Sequence, residues 1–306
     1  MKFVAVLFNV IVGSVFILSA WLKTNPIDYF ETKISFFGIE GVMGAVVARL
    51  IIAGELLIGL FLITQFTIGK LVYKTTIAVL SIFIIINLID LIRFGNDTDC
   101  GCMGLTVQVS PLMSIAKNIL LIGMTIFSMR FGTITWKLPV FATIAIALTP
   151  FSSVFMYKPV YVYENVKMPK KGTRPDFTIM DVHPGFKGKT YKSNAELSKG
   201  KKIVAFLSLT CPHCKMAAYK LNGFKALDPE LPIYFILNGD SSNMDQFFKV
   251  TGKPVVDMAH FNGNSDYADM SGYELPAIFL LKDGVVELQW NNATLTKAGM
   301  MEWLEK

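Results

Sequence analysis

Lys202-Ile-Val-Ala-Phe-Leu-Ser-Leu209, followed at once by Thr210-Cys211-Pro212-His213-Cys214, decides the fold of the C-terminal half. A continuous apolar run of strand length, bounded by polar residues, reads as a buried central strand. The stretch from Lys215 to about Leu227 reads as a helix, so the two thiols fall at a strand–helix junction. A cysteine at a helix N-terminus meets unpaired N–H groups and the positive end of the helix dipole, which stabilise its thiolate. Cys211, at the first position, is therefore the expected attacking or attacked sulfur. Cys214, one turn in, is the expected buried resolving partner, and His213 adds a donor or cation beside them. Stabilising the thiolate favours the reduced form and makes the disulfide more oxidising. The competing reading is a structural zinc half-site or two inert thiols. Zinc needs further ligands, and His183 and His260 are not clustered with the motif, so no metal is expected.

Outward from this motif, Leu231–Leu237 reads as a second strand and Ser242–Thr251 as a polar helix. Another strand begins at Pro276, and Asp283-Gly284 turns it into Val285–Trp290, a hairpin signature. Thr294 or Thr296 can cap a last helix running to Glu305. This order resembles the thioredoxin fold over roughly residues 176–306. The resemblance implies that Pro276 is the cis-proline facing the cysteine pair. The dipeptide Pro212-His213 resembles that of the DsbA thiol oxidases, although the DsbA helical insertion is absent. Two positions depart from thioredoxin: Ala205 stands where a buried Asp is usual, and Thr210 where a Trp is usual. Both departures argue against a general reductase, and the spacing and long central insert resemble membrane-tethered thioredoxin-like proteins.

The remaining half is of another kind. The chain has 306 residues, 53% of them hydrophobic, yet long apolar runs stop at about Met156 and charges are spread throughout beyond Lys158. Each part has an ordinary domain size. Five segments, approximately 3–22, 41–64, 72–92, 112–130 and 135–156, have the roughly 20 apolar residues that a membrane span requires. The first has the alternative reading of a secretory signal, with Lys2 at its start and Ser19-Ala20 as small residues, but it lacks an A-x-A-like site. The expected architecture is an all-α membrane helix bundle over 1–132, four core helices in all. A fifth linking span and linker cover 133–175, with Pro159, Pro169, Lys170, Lys171 and Gly172, and the α/β thioredoxin-like domain covers 176–306. The net charge of +6 is not gathered into a run, which excludes nucleic acid as a partner and suits cytoplasmic loops and anionic lipid.

With the N-terminus inside, Lys2, Lys70, Lys74, Arg130 and Lys137 lie on the cytoplasmic side. The outer loops then hold Asp28, Glu31, Glu40, Asp97 and Asp99 along with Lys23, Lys33 and Arg93. An odd number of spans places the C-terminal domain outside. The loop bearing Cys100-Gly101-Cys102 falls outside too, so both dithiols share one oxidising compartment. In a bacterium this is the periplasmic face of the inner membrane. Two cysteines separated by one residue close only a small ring, whose strain makes the bond easy to reduce. Gly101 relieves the backbone, and Asp97 and Asp99 would oppose a thiolate. A structural clip or metal site is the alternative.

Charges at membrane depth are costly unless paired, and each is by default a functional candidate. Arg49 and Glu55 lie on the second span, Asp90 and Arg93 end the third, and Lys117 lies on the fourth beside Ser114 and Asn118. Asn87, Asp90 and Arg93 share a helix face at three-residue spacing. Pairing inside a bundle is the structural alternative, and Gly41, Gly44, Gly54 and Gly59 are expected to permit close helix packing. Ala48-Arg49, Gly54-Glu55, Cys100-Gly-Cys-Met-Gly104 and Ser114-x-x-Lys117-Asn118 resemble the DoxX-like membrane proteins, in particular their MauE branch, over roughly residues 1–130. That resemblance implies a redox-associated membrane unit linked to disulfide formation in a periplasmic enzyme subunit. Fusion to a thioredoxin-like domain is similar to the architecture of VKOR-type and DsbB-type quinone-coupled oxidases.

The leading expectation is a thiol oxidase. Protein dithiols outside the cytoplasm reduce Cys211–Cys214, electrons pass to Cys100–Cys102, and a membrane quinone takes them up with Arg49, Glu55 and Lys117 assisting. A reductase running electrons outward is the second reading, and a membrane-anchored chaperone or maturation factor is the third.

Overall fold

The computed structural model describes residues 1–65, 70–96, 99–104, 107, 109–132, 139–160, 172–178, 192–252, 254–262, 265–272, 274–292 and 294–306. Asp97, Lys137, Pro169, Lys170, Lys171 and His183, named above, lie outside the described residues. The chain divides into two compact units, Met1–Tyr161 and Val162–Lys306.

In the first unit, helices α1 (Lys2–Lys23), α3 (Gly41–Thr64), α4 (Leu71–Phe94), α5 (Pro111–Phe131) and α6 (Val140–Tyr157) are each long and apolar enough to cross a membrane. Helix α1 packs on α3 and α5, α4 packs on α5, and α6 packs on α3. The fifth apolar helix is thus part of the bundle, with Phe151 and Val154 against Ile52 and Ala53, rather than a separate linking element. Gly59 permits the closest approach. A Cβ on it would lie 2.8 Å from the carbonyl oxygen of Gly13, and a Cβ on Gly13 would lie 2.8 Å from that of Gly59. This is small-residue packing, which lets backbones meet where lipid offers no hydrophobic drive. Gly41 and Gly54 face open space, so the expected packing role holds for Gly59 but not for them. A short helix α2 (Ile27–Ser35), absent from the sequence reading, follows α1 and packs on α3.

In the second unit, five strands form one mixed sheet in the order β3-β2-β1-β4-β5. These are β1 (Lys201–Ser208), β2 (Ile233–Asn238), β3 (Asp257–Phe261), β4 (Ala277–Lys282) and β5 (Val285–Trp290). The first three are parallel, and β4 and β5 are antiparallel additions. The described helices of this unit are α7 (Asn194–Leu197), α8 (Pro212–Leu227), α9 (Met244–Thr251), α10 (Ser265–Ser271) and α11 (Lys297–Glu305). A central parallel pair followed by an antiparallel hairpin, with a helix leaving the central strand, is the thioredoxin-like arrangement. The hairpin turns at Asp283-Gly284 as expected, and Thr296, one of the two expected caps, caps α11 by accepting from Gly299 N at 3.1 Å. The domain begins earlier than residue 176: Val286 N donates to the Thr173 carbonyl at 2.9 Å. Strand β1 is buried from Ile203 to Leu207 and pairs on both sides, which fixes the point from which the cysteine motif departs.

Candidate functional sites: two dithiols

The loop between α4 and α5 is held from several elements at once. Cys100 N donates to the Val109 carbonyl at 2.9 Å, and Val109 N donates to Asp99 Oδ1 at 2.8 Å. Tyr29 on α2 donates to Asp99 Oδ2 at 2.6 Å, and Lys33 Nζ donates to the Asp99 carbonyl at 2.6 Å. From α1, Ser19 Oγ donates to the Cys102 carbonyl at 3.0 Å. Gly101 has φ +69°, and a Cβ there would lie 2.8 Å from the Lys33 stem. Gly101 thus answers two demands at once, a left-handed backbone and a lysine laid across it. Gly104, φ +66°, brings the loop so close to α1 that a Cβ would lie 2.3 Å from the Leu22 carbonyl oxygen.

Both cysteines of this loop are free thiols. Cys102 Sγ lies 3.1 Å from Asn87 Oδ1, and Asn87 Nδ2 donates to Ser114 Oγ at 3.3 Å and to the Phe83 carbonyl at 2.7 Å. A hydrogen bond from the Cys100 thiol, helped by Ser114 and by the charges of Lys23 and Lys117, holds the Cys102 thiol down at about 6. The same contact and burial push the Cys100 thiol up. The pair is therefore asymmetric, with Cys102 the more readily ionised sulfur and Cys100 the one that keeps its proton. As a thiol Cys102 donates to Asn87 Oδ1; as a thiolate it would be served by the N–H₂ end of the same amide.

Cys100, Gly101 and Cys102 form part of the wall of a cavity in the bundle, about 780 Å³ of empty space including its mouth. Phe16, Phe30, Phe83, Ile86 and Leu121 make it apolar, and Lys23, Glu55, Asn87, Asp90, Lys117 and Asn118 supply polar points. Lys23 Nζ is paired with Glu55 Oε1 in a close contact, with both side chains nearly fully buried, and it also donates to Ser19 Oγ at 3.0 Å. Breaking such a pair typically costs about 3–5 kcal/mol. Glu55 and Lys117 thus line one cavity beside the dithiol. Arg49 is not among the residues lining it: it pairs with Glu31 at 2.6 Å and donates to the carbonyls of Lys158 (2.6 Å) and Pro159 (2.9 Å), tying α3 to α2 and to the end of α6.

Sequence reasoning missed three contributors. Lys23 and Lys33 read as outer-loop charges, and Ser19 as a small residue of a signal sequence. Their partners Glu55, Asp90, Asp99 and Cys102 lie 32 to 83 positions away, so no local pattern marks them. The usable signal was the surplus of intramembrane acids needing a cation.

In the second unit, Cys211 is the N-cap of α8, and its Sγ accepts from Cys214 N at 3.4 Å. Cys211 is half-buried and Cys214 fully buried, the asymmetry expected from their positions. Burial pushes the Cys214 thiol up. His213 is exposed. The Leu275–Pro276 peptide is cis, and Ala277 lies opposite Phe206, so Pro276 stands at the end of β1 from which the motif departs. Ala205 is fully buried in β1, leaving an apolar methyl where thioredoxins place a carboxylate. His260 is engaged with the Gly239 carbonyl at 2.7 Å.

The family model for the methylamine utilisation protein MauE matches residues 1–131, the branch expected from the motifs. Among curated proteins, Protein TlpB of Flavobacterium psychrophilum is 24% identical over 291 residues, covering 80% of this chain and 79% of its own length. Among solved structures, a secreted Mycobacterium tuberculosis disulfide oxidoreductase homologous to E. coli DsbE is 19% identical with a TM-score of 0.29, covering 37% of this chain and 84% of that one. Residues 1–131 are thus a MauE-like domain of helices long and apolar enough to cross a membrane, and a domain with the thioredoxin-like sheet order follows it.

Proposed function

We propose that the protein oxidises protein dithiols outside the cytoplasm of a bacterial cell and delivers their electrons to a membrane quinone. A client dithiol reduces the Cys211–Cys214 disulfide and becomes a disulfide itself. The resulting thiols reduce the Cys100–Cys102 disulfide by exchange. The Cys100–Cys102 dithiol then gives two electrons to the quinone, with the accompanying protons, and returns to the disulfide.

The observation that carries this reading is a dithiol with one acidified sulfur on the wall of an apolar cavity inside a helix bundle. An aqueous protein partner has no need of such a cavity, whereas a lipid-soluble ring does. Orientation with the N-terminus inside is favoured by the charges. This orientation keeps Lys2, Lys70, Lys74 and Arg130 on the cytoplasmic side. Outward reduction uses the same residues in reverse. It is disfavoured by Ala205, since a reductase benefits from a buried base that deprotonates the second thiol.

Acid quenching of intact cells followed by thiol alkylation reads the resting state of Cys211–Cys214. A mostly oxidised pair is expected, and a mostly reduced pair would reverse the direction proposed. In the Cys100→Ser/Cys102→Ser variant, Cys211 and Cys214 are expected to accumulate as thiols during turnover. Unchanged turnover in that variant would remove the relay.

A further inference from the structure

Two polar groups on the cavity wall are incompletely satisfied among the described residues. Asp90 is buried on α4 at 2% exposure, and its Oδ1 accepts no hydrogen bond, while Oδ2 is 3.7 Å from Lys33 Nζ. Lys117 on α5 makes no hydrogen bond or ion pair among the described residues, whereas Lys23 is satisfied by Glu55. An unmatched buried acceptor is costly, so a cavity that keeps one is shaped for an occupant that fills it.

We propose that Lys117 and Asp90 are the two polar anchors of a para-quinone ring in this cavity, Lys117 donating to one ring oxygen and Asp90 exchanging a proton with the other. The proposal rests on the quinone reading above and deepens it. The stoichiometry requires such a group. Cys100 thiol and Cys102 thiolate close to a disulfide, releasing two electrons and one proton. The quinone takes both electrons and two protons, so the second proton must come from elsewhere. Asp90, protonated at Oδ1, supplies it and is recharged from water at the loop side. The quinol so formed presents a hydroxyl to the Oδ1 carboxylate. Lys33 on α2, Arg93 on α4 and Asp99 in the loop surround Asp90 and set the charge it works against. Lys117 bears on Cys102 and Glu55 instead, so the two anchors have different charged neighbours.

The test is equilibrium binding of menadione to the full chain in lipid nanodiscs, in a Cys100→Ser/Cys102→Ser background where no electrons can flow. Binding is expected there, and Asp90→Asn and Lys117→Met should each weaken it about tenfold, the worth of one charge-assisted hydrogen bond. Full affinity in both variants overturns the anchor assignment while leaving the quinone reading intact. No binding in the background protein overturns the quinone reading itself. Should Asp90→Asn fail to fold, infrared difference spectra with ¹³C-aspartate decide on the unaltered residue. A labelled carboxyl band that shifts when menadione is added supports the assignment, and its absence overturns it.

Discussion

The two dithiols are built on opposite plans. Cys211 sits at a helix N-cap with its partner buried one turn behind, and the backbone alone holds the pair in place. Cys100 and Cys102 sit in a loop that no local backbone pattern would fix. Contacts from Ser19, Tyr29, Lys33 and Asn87, on three helices, hold it. The first plan leaves one sulfur open to large partners. The second buries Cys100, leaves Cys102 half-buried and sets the pair on the wall of an apolar chamber. A strand–helix junction suits exchange with many clients, while a loop clamped by buried charges suits one small acceptor.

The sharpest break between the two plans is chemical. Cys100→Ser/Cys102→Ser should abolish quinone-coupled turnover by at least about 100-fold, as loss of a covalent redox group does, while a single exchange at Cys211–Cys214 survives. Stopped-flow measurement of client oxidation with and without quinone separates the two. Next in size, Glu55→Gln strands Lys23 without its counter-charge and should cost about 3–5 kcal/mol, read as a lowered midpoint in detergent melts. The exposed Lys306–Glu302 pair, cut by Glu302→Gln, should leave the midpoint almost unchanged.

Gly101→Ala must place a Cβ against the Lys33 stem at φ +69°, for which about 1–3 kcal/mol is expected from strain and overpacking. Gly272→Ala in the soluble unit has a similar φ of +76° but open space around it, so only the smaller backbone penalty of about 1 kcal/mol should appear. Equal losses at the two sites would mean that Lys33 yields freely.

The smallest expected effect is a shift in pH dependence. Cys102 is protonated and slow to alkylate below its value of about 6, and becomes a thiolate, reactive and level, above it. Its iodoacetamide rate should therefore climb through pH 6, while Cys214, kept protonated by burial, stays slow over the same range. Lys117→Met should move the Cys102 profile to higher pH by removing a favourable charge. Peptide mapping by mass spectrometry reads each cysteine separately.

Where the sequence was legible, the signal was periodic or local. The apolar runs marked the spans to within a few residues, and the hairpin and the N-cap of α11 follow from turn and cap chemistry. Strand β3, Asp257-Met-Ala-His-Phe261, escaped notice because an edge strand with polar alternation looks like a loop. Helix α2 escaped because nine residues carrying Asp28, Glu31 and Lys33 read as an outer connection. The site itself was half legible. Cysteines and intramembrane acids declare themselves, but Lys23 and Lys33 acquire meaning only once folding brings their distant partners to them.

Helix α1 carries a consequence for how the protein is made. It precedes its partners in the chain, so it is made bearing Asn9, Ser19 and Lys23 before those partners exist. Asn9 awaits Gln65 and Tyr73, 56 and 64 positions later, Lys23 awaits Glu55, 32 positions later, and Ser19 awaits Cys102, 83 positions later. A helix with uncompensated polar groups is poorly tolerated by lipid alone. Insertion must therefore keep α1 sheltered until α3 arrives and supplies the acid. The redox loop is then held in place only once the three helices that grip it, α1, α2 and α4, have come together.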